Sequence, residues 1–263
     1  MFNLLCGDAI EKMKELKDDS IDMIFCDPPY GITSCKWDAT IPFEPMWQQI
    51  KRIMKENGVA VFTSSQPFSS ALVMSNPSMF KHEWIWIKNR GSNFANTVRE
   101  PMKEHETVLV FANKKWTYNK QMQNRTGSGE NRIKYDFNTV TESENYRKFE
   151  RASESKGKIK RVPSSWQKFN TASGKEKTNH PTQKPVDLAK YFIKTYSNEN
   201  DTILDFAMGS GTFGVAATLL NRKFIGIDND IEWVKLSYNR IMHAKEEDCL
   251  NCDQTNLFER LMA

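Results

Sequence analysis

The order of apolar and polar positions predicts strands that alternate with helices along most of the chain. Short apolar runs predict buried strands, and segments whose apolar residues recur every three or four positions predict amphipathic helices. The predicted strands are 21–26, 59–62, 82–88, 107–111, 202–206 and 224–228, and the predicted helices are 8–17, 45–57, 67–74, 185–196, 212–221 and 231–242. This alternation predicts an α/β fold with a doubly wound, mostly parallel sheet.

The pattern breaks between residues 114 and 178, where aliphatic residues are scarce and Ser, Asn, Thr and Gly are common. This segment has sixteen Lys or Arg against seven Asp or Glu, a net charge of +9, whereas the whole chain carries +4. We therefore divide the chain into a first half, 1–113, a basic loop-rich insertion, 114–178, a second half, 179–244, and a loosely attached tail, 245–263. The insertion is either a solvated loop or a surface for nucleic acid, because Lys and Arg neutralise phosphates.

Candidate contacts to nucleic acid lie in two places. The insertion offers Lys156, Lys158, Lys160 and Arg161. Asn89 and Arg90 follow a predicted strand and either contact a DNA backbone or belong to an exposed loop. The aromatic residues of the insertion either stack on bases or form a small core of their own; they are Trp116, Tyr118, Tyr135, Phe137, Tyr146, Phe149, Trp166 and Phe169.

Composition narrows the class of protein. With 39% apolar residues and a small net charge, the chain as a whole is not expected to be disordered. It has no apolar run of about 18 residues, so we expect no membrane span, and its first residues do not form a secretion signal. Five cysteines, an odd number, indicate reduced thiols and a cytoplasmic location. Cys249 and Cys252 have no second ligand pair, so no metal site is expected.

A glycine turn, Gly209-Ser210-Gly211-Thr212, lies between a predicted strand and a predicted helix. Glycines at such a point let the backbone turn tightly and approach a ligand closely. Asp228 ends the next predicted strand, where a carboxylate accepts hydrogen bonds from ribose hydroxyls. The order of strand, glycine turn, helix and strand-ending acid predicts a cofactor that contains adenosine. The alternative is a purely structural turn. No third glycine follows at the expected spacing, which speaks against a dinucleotide.

The most informative tetrapeptide is Asp27-Pro28-Pro29-Tyr30, directly after a predicted buried strand. Two prolines fix two φ angles and remove two backbone donors, so the turn is stiff and presents acceptors at the edge of the sheet. The carboxylate of Asp27 and the carbonyl of Pro28 can each accept one hydrogen of an exocyclic amine on a planar ring. Tyr30 can stack on the face of that ring. Acceptors fixed in this way stabilise positive charge that develops on the nitrogen. The alternative is a strand-ending turn with an incidental acid.

The two turns, in this order, resemble the amino-group DNA methyltransferases of the adenine-N6 type, in the permuted class whose Asp-Pro-Pro-Tyr motif precedes the glycine turn. The resemblance covers about 1–112 and 178–242 and includes His180-Pro181-Thr182-Gln183-Lys184-Pro185. It implies a Rossmann-like methyltransferase fold, S-adenosylmethionine as methyl donor, and a DNA base flipped out of the duplex onto the first turn. The implied catalytic residues are Asp27, Pro28, Pro29 and Tyr30, and the implied cofactor residues are Asp8, Asp27, Lys184, Asp205, Phe206, Ala207, Gly209, Ser210, Gly211, Thr212 and Asp228.

Several points stay open in the sequence. The family often has Phe where this chain has Ala207, so Phe206 either supplies that aromatic contact or the contact is absent. Asp8 either helps to hold the cofactor or caps a helix. The alternatives to adenine N6 are cytosine N4, an RNA adenine, or a silent DNA-binding protein that keeps the fold without turnover. A homodimer is compatible with the sequence, and the insertion leaves the target DNA sequence undefined.

Overall fold

The computed structural model describes residues 1–32, 38–125, 140–143, 146–150 and 159–262. The chain divides into two compact units. The main unit comprises Met1–Asn119 and Ser165–Ala263, and the inserted unit is Lys120–Ser164. The inserted unit is therefore shorter than the predicted insertion, because the flanks 114–119 and 165–178 belong to the main unit.

The main unit is built on an eight-stranded mixed sheet. Its strands, in spatial order, are β1 (Phe2–Cys6), β12 (Lys223–Asp228), β11 (Thr202–Asp205), β2 (Ile21–Cys26), β3 (Met54–Ser64), β5 (Lys103–Ala112), β4 (Phe80–Ser92) and β10 (Trp166–Lys168). All neighbours are parallel except β5, which runs antiparallel to both β3 and β4. The predicted α/β class with a mostly parallel sheet is confirmed.

Helices cover both faces of this sheet. They are α1 (Ala9–Lys14), α2 (Phe43–Ile53), α3 (Phe68–Ser75), α4 (Val186–Tyr196), α5 (Thr212–Leu219) and α6 (Ile231–Met262). The core on one face takes side chains from α1, α2 and α3, and the core on the other takes them from α4, α5 and α6. The central strand β2 shows why its sequence is continuously apolar: Met23 and Phe25 enter one core, and Ile24 and Cys26 enter the other.

The predicted elements differ from the structure at many of their ends, and four differences change the description of the fold. β1 is missing from the prediction, since this edge strand is only partly buried. The helix predicted over 45–57 ends at Ile53, because Met54 already pairs with Ile21 in the sheet. β10 forms within the predicted insertion by pairing Trp166 with Ile85. The last helix continues to Met262, where the sequence predicted a tail after residue 244.

The flanks of the predicted insertion contribute to the main core. Trp116 and Phe169 pack against the core on the face of α4, and the indole N–H of Trp86 donates to the carbonyl of Phe169 at 2.9 Å. Trp116 and Phe169 therefore have a structural role in the main unit. Trp166 keeps half of its surface exposed on the edge strand β10.

The inserted unit contains two short antiparallel ladders. β6 (Gln123–Asn124) pairs with β9 (Lys160–Arg161), and β7 (Val140–Ser143) pairs with β8 (Tyr146–Glu150). Over residues 120–164 the sequence has eleven Lys or Arg and six Asp or Glu, a net charge of +5.

Candidate functional site

The Asp-Pro-Pro-Tyr turn and the glycine turn lie at the point in the sheet where the chain leaves two neighbouring strands in opposite directions. β2 and β11 are parallel neighbours, with Ile24 beside Leu204, so the chain leaves both strands at one edge. From β2 the chain passes through α2 to β3, and from β11 it passes through α5 to β12, on the other side of the pair. In open α/β sheets, ligands bind in the crevice at such a switch point.

A cavity of about 890 Å³ fills this crevice, within the size range of sites for small molecules and cofactors. Both turns contribute to its wall, and so does the start of the chain before α1. The predicted residues that line it are Asp8, Asp27, Pro28, Pro29, Tyr30, Arg90, Lys184, Asp205, Phe206, Ala207, Gly209, Ser210, Thr212 and Asp228. Gly211 shapes the turn without lining the cavity.

The carboxylate of Asp27 is held by three side chains. Its Oδ1 accepts hydrogen bonds from the Tyr30 hydroxyl at 2.6 Å and from the Thr63 hydroxyl. Its Oδ2 accepts from the Lys184 ammonium at 2.6 Å. One fifth of the Asp27 side chain is exposed, against 8% for Lys184. The carboxylate is therefore fixed from behind while it still faces the cavity.

Tyr30 is held by its ring and by the backbone that follows it. The ring stacks on Phe68, with centroids 5.1 Å apart. The carboxylate of Asp38 accepts from the backbone N–H groups of Tyr30, Gly31 and Ile32 at 2.7, 2.9 and 3.0 Å. Asp38 is 6% exposed and lines the cavity. Asp38 is not predicted from the sequence, since nothing in its neighbourhood shows that the chain folds back onto the turn.

The glycine turn has backbone conformations that residues with a side chain adopt only with strain. Gly209 has φ +47° and Gly211 has φ +72°, in the left-handed region that glycine enters without strain. A Cβ at Gly209 would lie 2.7 Å from Nε2 of His180. Burial lowers the pKa of His180. The sequence requirement for glycine is therefore both conformational and steric.

Asp228 and α6 hold the glycine turn in place. The Asp228 carboxylate accepts from the Gly209 N–H at 2.8 Å and from the Asp230 N–H at 2.9 Å. Burial raises its pKa, although those backbone donors act in the opposite direction. From α6, Ser237 donates to the Gly209 carbonyl at 2.8 Å, and Arg240 donates to the Ser210 carbonyl. Asp228 is predicted from the sequence, whereas Ser237 and Arg240 on α6 are not.

The residues between β11 and the glycine turn have distinct environments. Asp205 is 2% exposed and accepts from the Ala207 N–H at 3.1 Å. Burial raises its pKa well above the usual value for a carboxyl. Phe206 is 1% exposed and packs edge-on against Phe62 at 6.1 Å. Phe206 is thus a core residue that also borders the cavity.

Lys184 belongs to a buried network of alternating charges. Besides Asp27, its ammonium lies 3.7 Å from Glu106, which in turn lies 3.2 Å from Lys88. Burial alone would lower the pKa of Lys184, but the carboxylates of Asp27 and Glu106 offset this and raise it. Lys184 therefore stays charged and engages the first turn. Glu106 and Lys88 were not found from the sequence, because they lie on different strands.

The other predicted residues have the following positions. Asp8 caps α1 by accepting from the Glu11 N–H at 3.0 Å, and it also lines the cavity. Asn89 accepts from the Thr171 N–H at 2.8 Å, which ties β4 to the segment after β10. Lys160 and Arg161 form β9 of the inserted unit. Lys156 and Lys158 lie outside the described residues.

The described residues also bear on metal sites and on membrane-spanning segments. Within the described ranges, no cluster of His, Cys, Asp and Glu residues has a geometry suited to a metal ion. Among the helices of the described part of the chain, none is long and apolar enough to cross a membrane.

Curated proteins with similar sequences are methyltransferases by name. The chain is 27% identical over 255 residues to the Type II methyltransferase M.HpaI of Haemophilus parainfluenzae, covering 90% of this chain and 73% of that protein. It is 28% identical over 254 residues to the DNA adenine methyltransferase YhdJ of Escherichia coli (strain K12), covering 90% and 82%.

Solved structures show the same architecture. The M1.HpyAVI–SAM complex has a TM-score of 0.61 at 25% identity, covering 91% of this chain and all of that one. The cytosine-N4-specific PvuII DNA methyltransferase has a TM-score of 0.64 at 14% identity, covering 94% and 92%, a likeness of fold alone. A family model described as DNA methylase matches residues 21–239, which include both turns and the strands that carry them. The chain therefore belongs to the DNA methylase family.

Proposed function

We propose that this protein transfers a methyl group from S-adenosylmethionine to the N6 amino group of an adenine that has been turned out of duplex DNA. The observation that carries the proposal is the position of Asp27: its carboxylate faces the same cavity as the glycine turn. Adenine is supported by the name of the relative YhdJ. It is also supported by Asp27, because the resemblance implies that Asp at the first position of this turn goes mostly with adenine N6 and Ser mostly with cytosine N4.

The residues of the glycine turn fit S-adenosylmethionine. Gly209 places backbone without a side chain at the cavity wall, where a ligand can approach closely. Asp228 at the end of β12 is a carboxylate suited to ribose hydroxyls. The adjoining wall, Phe206 to Met208, is largely apolar. When bound, S-adenosylmethionine supplies an electrophilic methyl group on a sulfonium.

Asp27 retains capacity for the amine of the base. A carboxylate has about four lone-pair sites for hydrogen bonds, and Tyr30, Thr63 and Lys184 use three of them. The remaining site and the carbonyl of Pro28 suit the two N–H bonds of an exocyclic amine. When both hydrogens are held, the nitrogen lone pair is directed away from the ring system and becomes available for attack.

The chain provides orientation and electrostatic stabilisation for this step. Asp27 stabilises the positive charge that develops on the nitrogen, because the acceptor is already in place before reaction. The Lys184 ammonium and the Tyr30 hydroxyl fix the direction of that carboxylate. Holding the two reactants in line lowers the barrier further. A paired base cannot reach such a site, so the base must leave the duplex.

The decisive experiment identifies the modified base. Modified-base sequencing of DNA from cells that express the chain, followed by nucleoside analysis, is expected to show N6-methyladenine at one sequence context. Asp27→Ala should abolish this modification, because it removes the preorganised acceptor, and it should leave binding of S-adenosylmethionine largely intact. Calorimetric titration measures the second quantity.

The matched control is Asp18→Ala, which removes an exposed carboxylate that pairs with Arg52 away from the cavity. This variant should methylate as the wild type does. If the product is N4-methylcytosine, the target base is cytosine and not adenine. Appreciable turnover by Asp27→Ala would contradict the role given to the Asp27 carboxylate.

The predicted cytoplasmic location accompanies this proposal. It is supported by Cys6 and Cys26, which are both free thiols, as is usual in a reducing compartment.

A further inference from the structure

The hairpin formed by β4 and β5 extends beyond the cavity. Next to the turn of the hairpin, both strands line the cavity: Arg90, Gly91 and Ser92 on β4, and Lys103 on β5. The residues between them, 93–102, do not line it. We call residues 93–102 the hairpin tip.

The hairpin tip carries three apolar side chains that the described residues leave largely or partly exposed. Phe94 is 77% exposed, Val98 is 93% exposed and Met102 is 42% exposed. Single exposed apolar residues are common on protein surfaces. Three on ten residues beside the cavity, one of them aromatic, offer apolar surface to a partner.

Local hydrogen bonds fix the backbone of the hairpin tip. Asn93 has φ +68° and leads into a 3-10 helix at Phe94–Asn96. Its side-chain amide donates to Glu100 at 2.7 Å, which closes the tip. The backbone N–H of Glu100 also donates to the Asn96 carbonyl at 3.1 Å. The exposure of Phe94 is therefore imposed by a braced turn, and a braced element loses less conformational entropy when it binds.

Duplex DNA with a base turned out has the surface that such a tip fits. The departing base leaves a gap in the stack, one strand of which rises about 3.4 Å per base. Proteins that open or kink DNA insert apolar side chains such as Phe between base steps. Arg90 and Lys103 lie at the cavity and Arg99 on the tip. Glu100 and Glu104 stand beside them in the sequence, and Glu100 is bound by Asn93. The basic side chains offer counter-charges to phosphates near the gap.

We propose that the hairpin tip is a wedge that inserts Phe94 into the duplex at the place of the target base, with Val98 as a second apolar contact. This inference rests on the proposed function, since it concerns the same base. It assigns the filling of the gap to a part of the chain that is separate from both turns.

The test compares two DNA duplexes that contain the methylated sequence. In the first, the target adenine is paired with thymine; in the second, it faces an abasic site. Loss of the wedge matters only where pairing and stacking hold the base in place. Phe94→Ala is therefore expected to reduce the single-turnover methylation rate about tenfold or more on the paired duplex, and less than about twofold on the abasic duplex.

Two further variants accompany Phe94→Ala. Phe94→Leu keeps an apolar side chain and should recover most of the rate on the paired duplex. Met74→Ala removes an equally exposed apolar side chain on α3, 73% exposed and outside the cavity. It should match the wild type on both duplexes. Both positions are at the surface, and equal affinity for S-adenosylmethionine confirms that each of the three variants is folded.

The outcomes separate the inference from the proposed function. A loss of equal size on both duplexes, or no loss on either, overturns the wedge. If Phe94→Ala alters the molecular mass in solution and leaves the ratio of the two rates unchanged, the tip joins copies of this chain and the wedge is likewise wrong. If the wild type methylates no DNA, the proposed function fails, and the inference fails with it.

Discussion

Asp205 ends β11 with its carboxyl group buried, and the main consequence is a dependence of stability on pH. Burial raises its pKa well above the usual value, more than the Ala207 N–H and the Cys26 thiol lower it. The folded state therefore binds a proton more tightly than the unfolded chain, whose Asp pKa is about 3.9. The contribution of Asp205 to stability is then greatest below that pH and declines as the pH rises through the raised pKa.

Asp205→Asn should remove this decline, because the amide stays neutral and its oxygen still accepts from Ala207. We expect the melting temperature of the variant to exceed that of the wild type at pH 8 by about 2 °C or more, which corresponds to about 1 kcal/mol for a chain of this size. The difference should vanish towards pH 4. Calorimetric melting across that range is the measurement, and parallel pH curves for the two proteins would show that another group is responsible.

At the scale of elements, the glycine turn is where a backbone conformation and a helix contact coincide. Gly211 precedes α5 with φ +72°, and a Cβ there would lie 2.6 Å from the side chain of Ser237 on α6. Gly174 also has a positive φ, +60°, but a Cβ there would meet nothing within 4 Å. The two positions therefore separate backbone strain from steric collision.

Gly174→Ala should cost only the left-handed strain of a residue with a Cβ, about 1–2 kcal/mol. Gly211→Ala should cost more, since α6 must move, and it should also weaken binding of S-adenosylmethionine by displacing the neighbouring Gly209. Urea unfolding and calorimetric titration measure the two effects. Equal unfolding free energies for the two variants would contradict the steric part of this explanation.

At the scale of the whole molecule, the inserted unit is separable from the cofactor site. Among the residues that the structure describes, every one that lines the cavity belongs to the main unit, and so does every residue of the two cores. The residues between Asn124 and Lys160 can be replaced by a short turn, because these two residues pair directly in an antiparallel ladder. A two-residue Asn-Gly turn joins strands paired in this way.

Replacing residues 125–159 with Asn-Gly should leave the affinity for S-adenosylmethionine unchanged and abolish methylation at the specific sequence. Titration calorimetry and modified-base sequencing test the two parts. As a companion, reversing the charges of Lys156 and Lys158 in the full chain should weaken DNA binding and flatten its dependence on salt. A shortened chain that methylates the same sites would show that the inserted unit does not select the target.

The sequence alone determined the parts whose signals are local. The apolar run of β2 followed by two prolines, and the strand that leads into Gly209, define both turns and their order, because burial and fixed φ angles act within a few residues. The family resemblance, which rests on the same short motifs, is confirmed by the match over 21–239. The limits of β1, β10 and α2 were not determined in this way, because each depends on pairing with a distant strand.

Tertiary structure decided how the site is held. The ammonium of Lys184 reaches Asp27 across 157 positions of sequence, Glu106 links it to Lys88, and Asp38 folds back onto the loop after Tyr30. Such contacts join side chains that share no period or spacing, so no local pattern records them. Short motifs predict the groups that face the ligand. The groups that orient them come together only when the sheet is assembled.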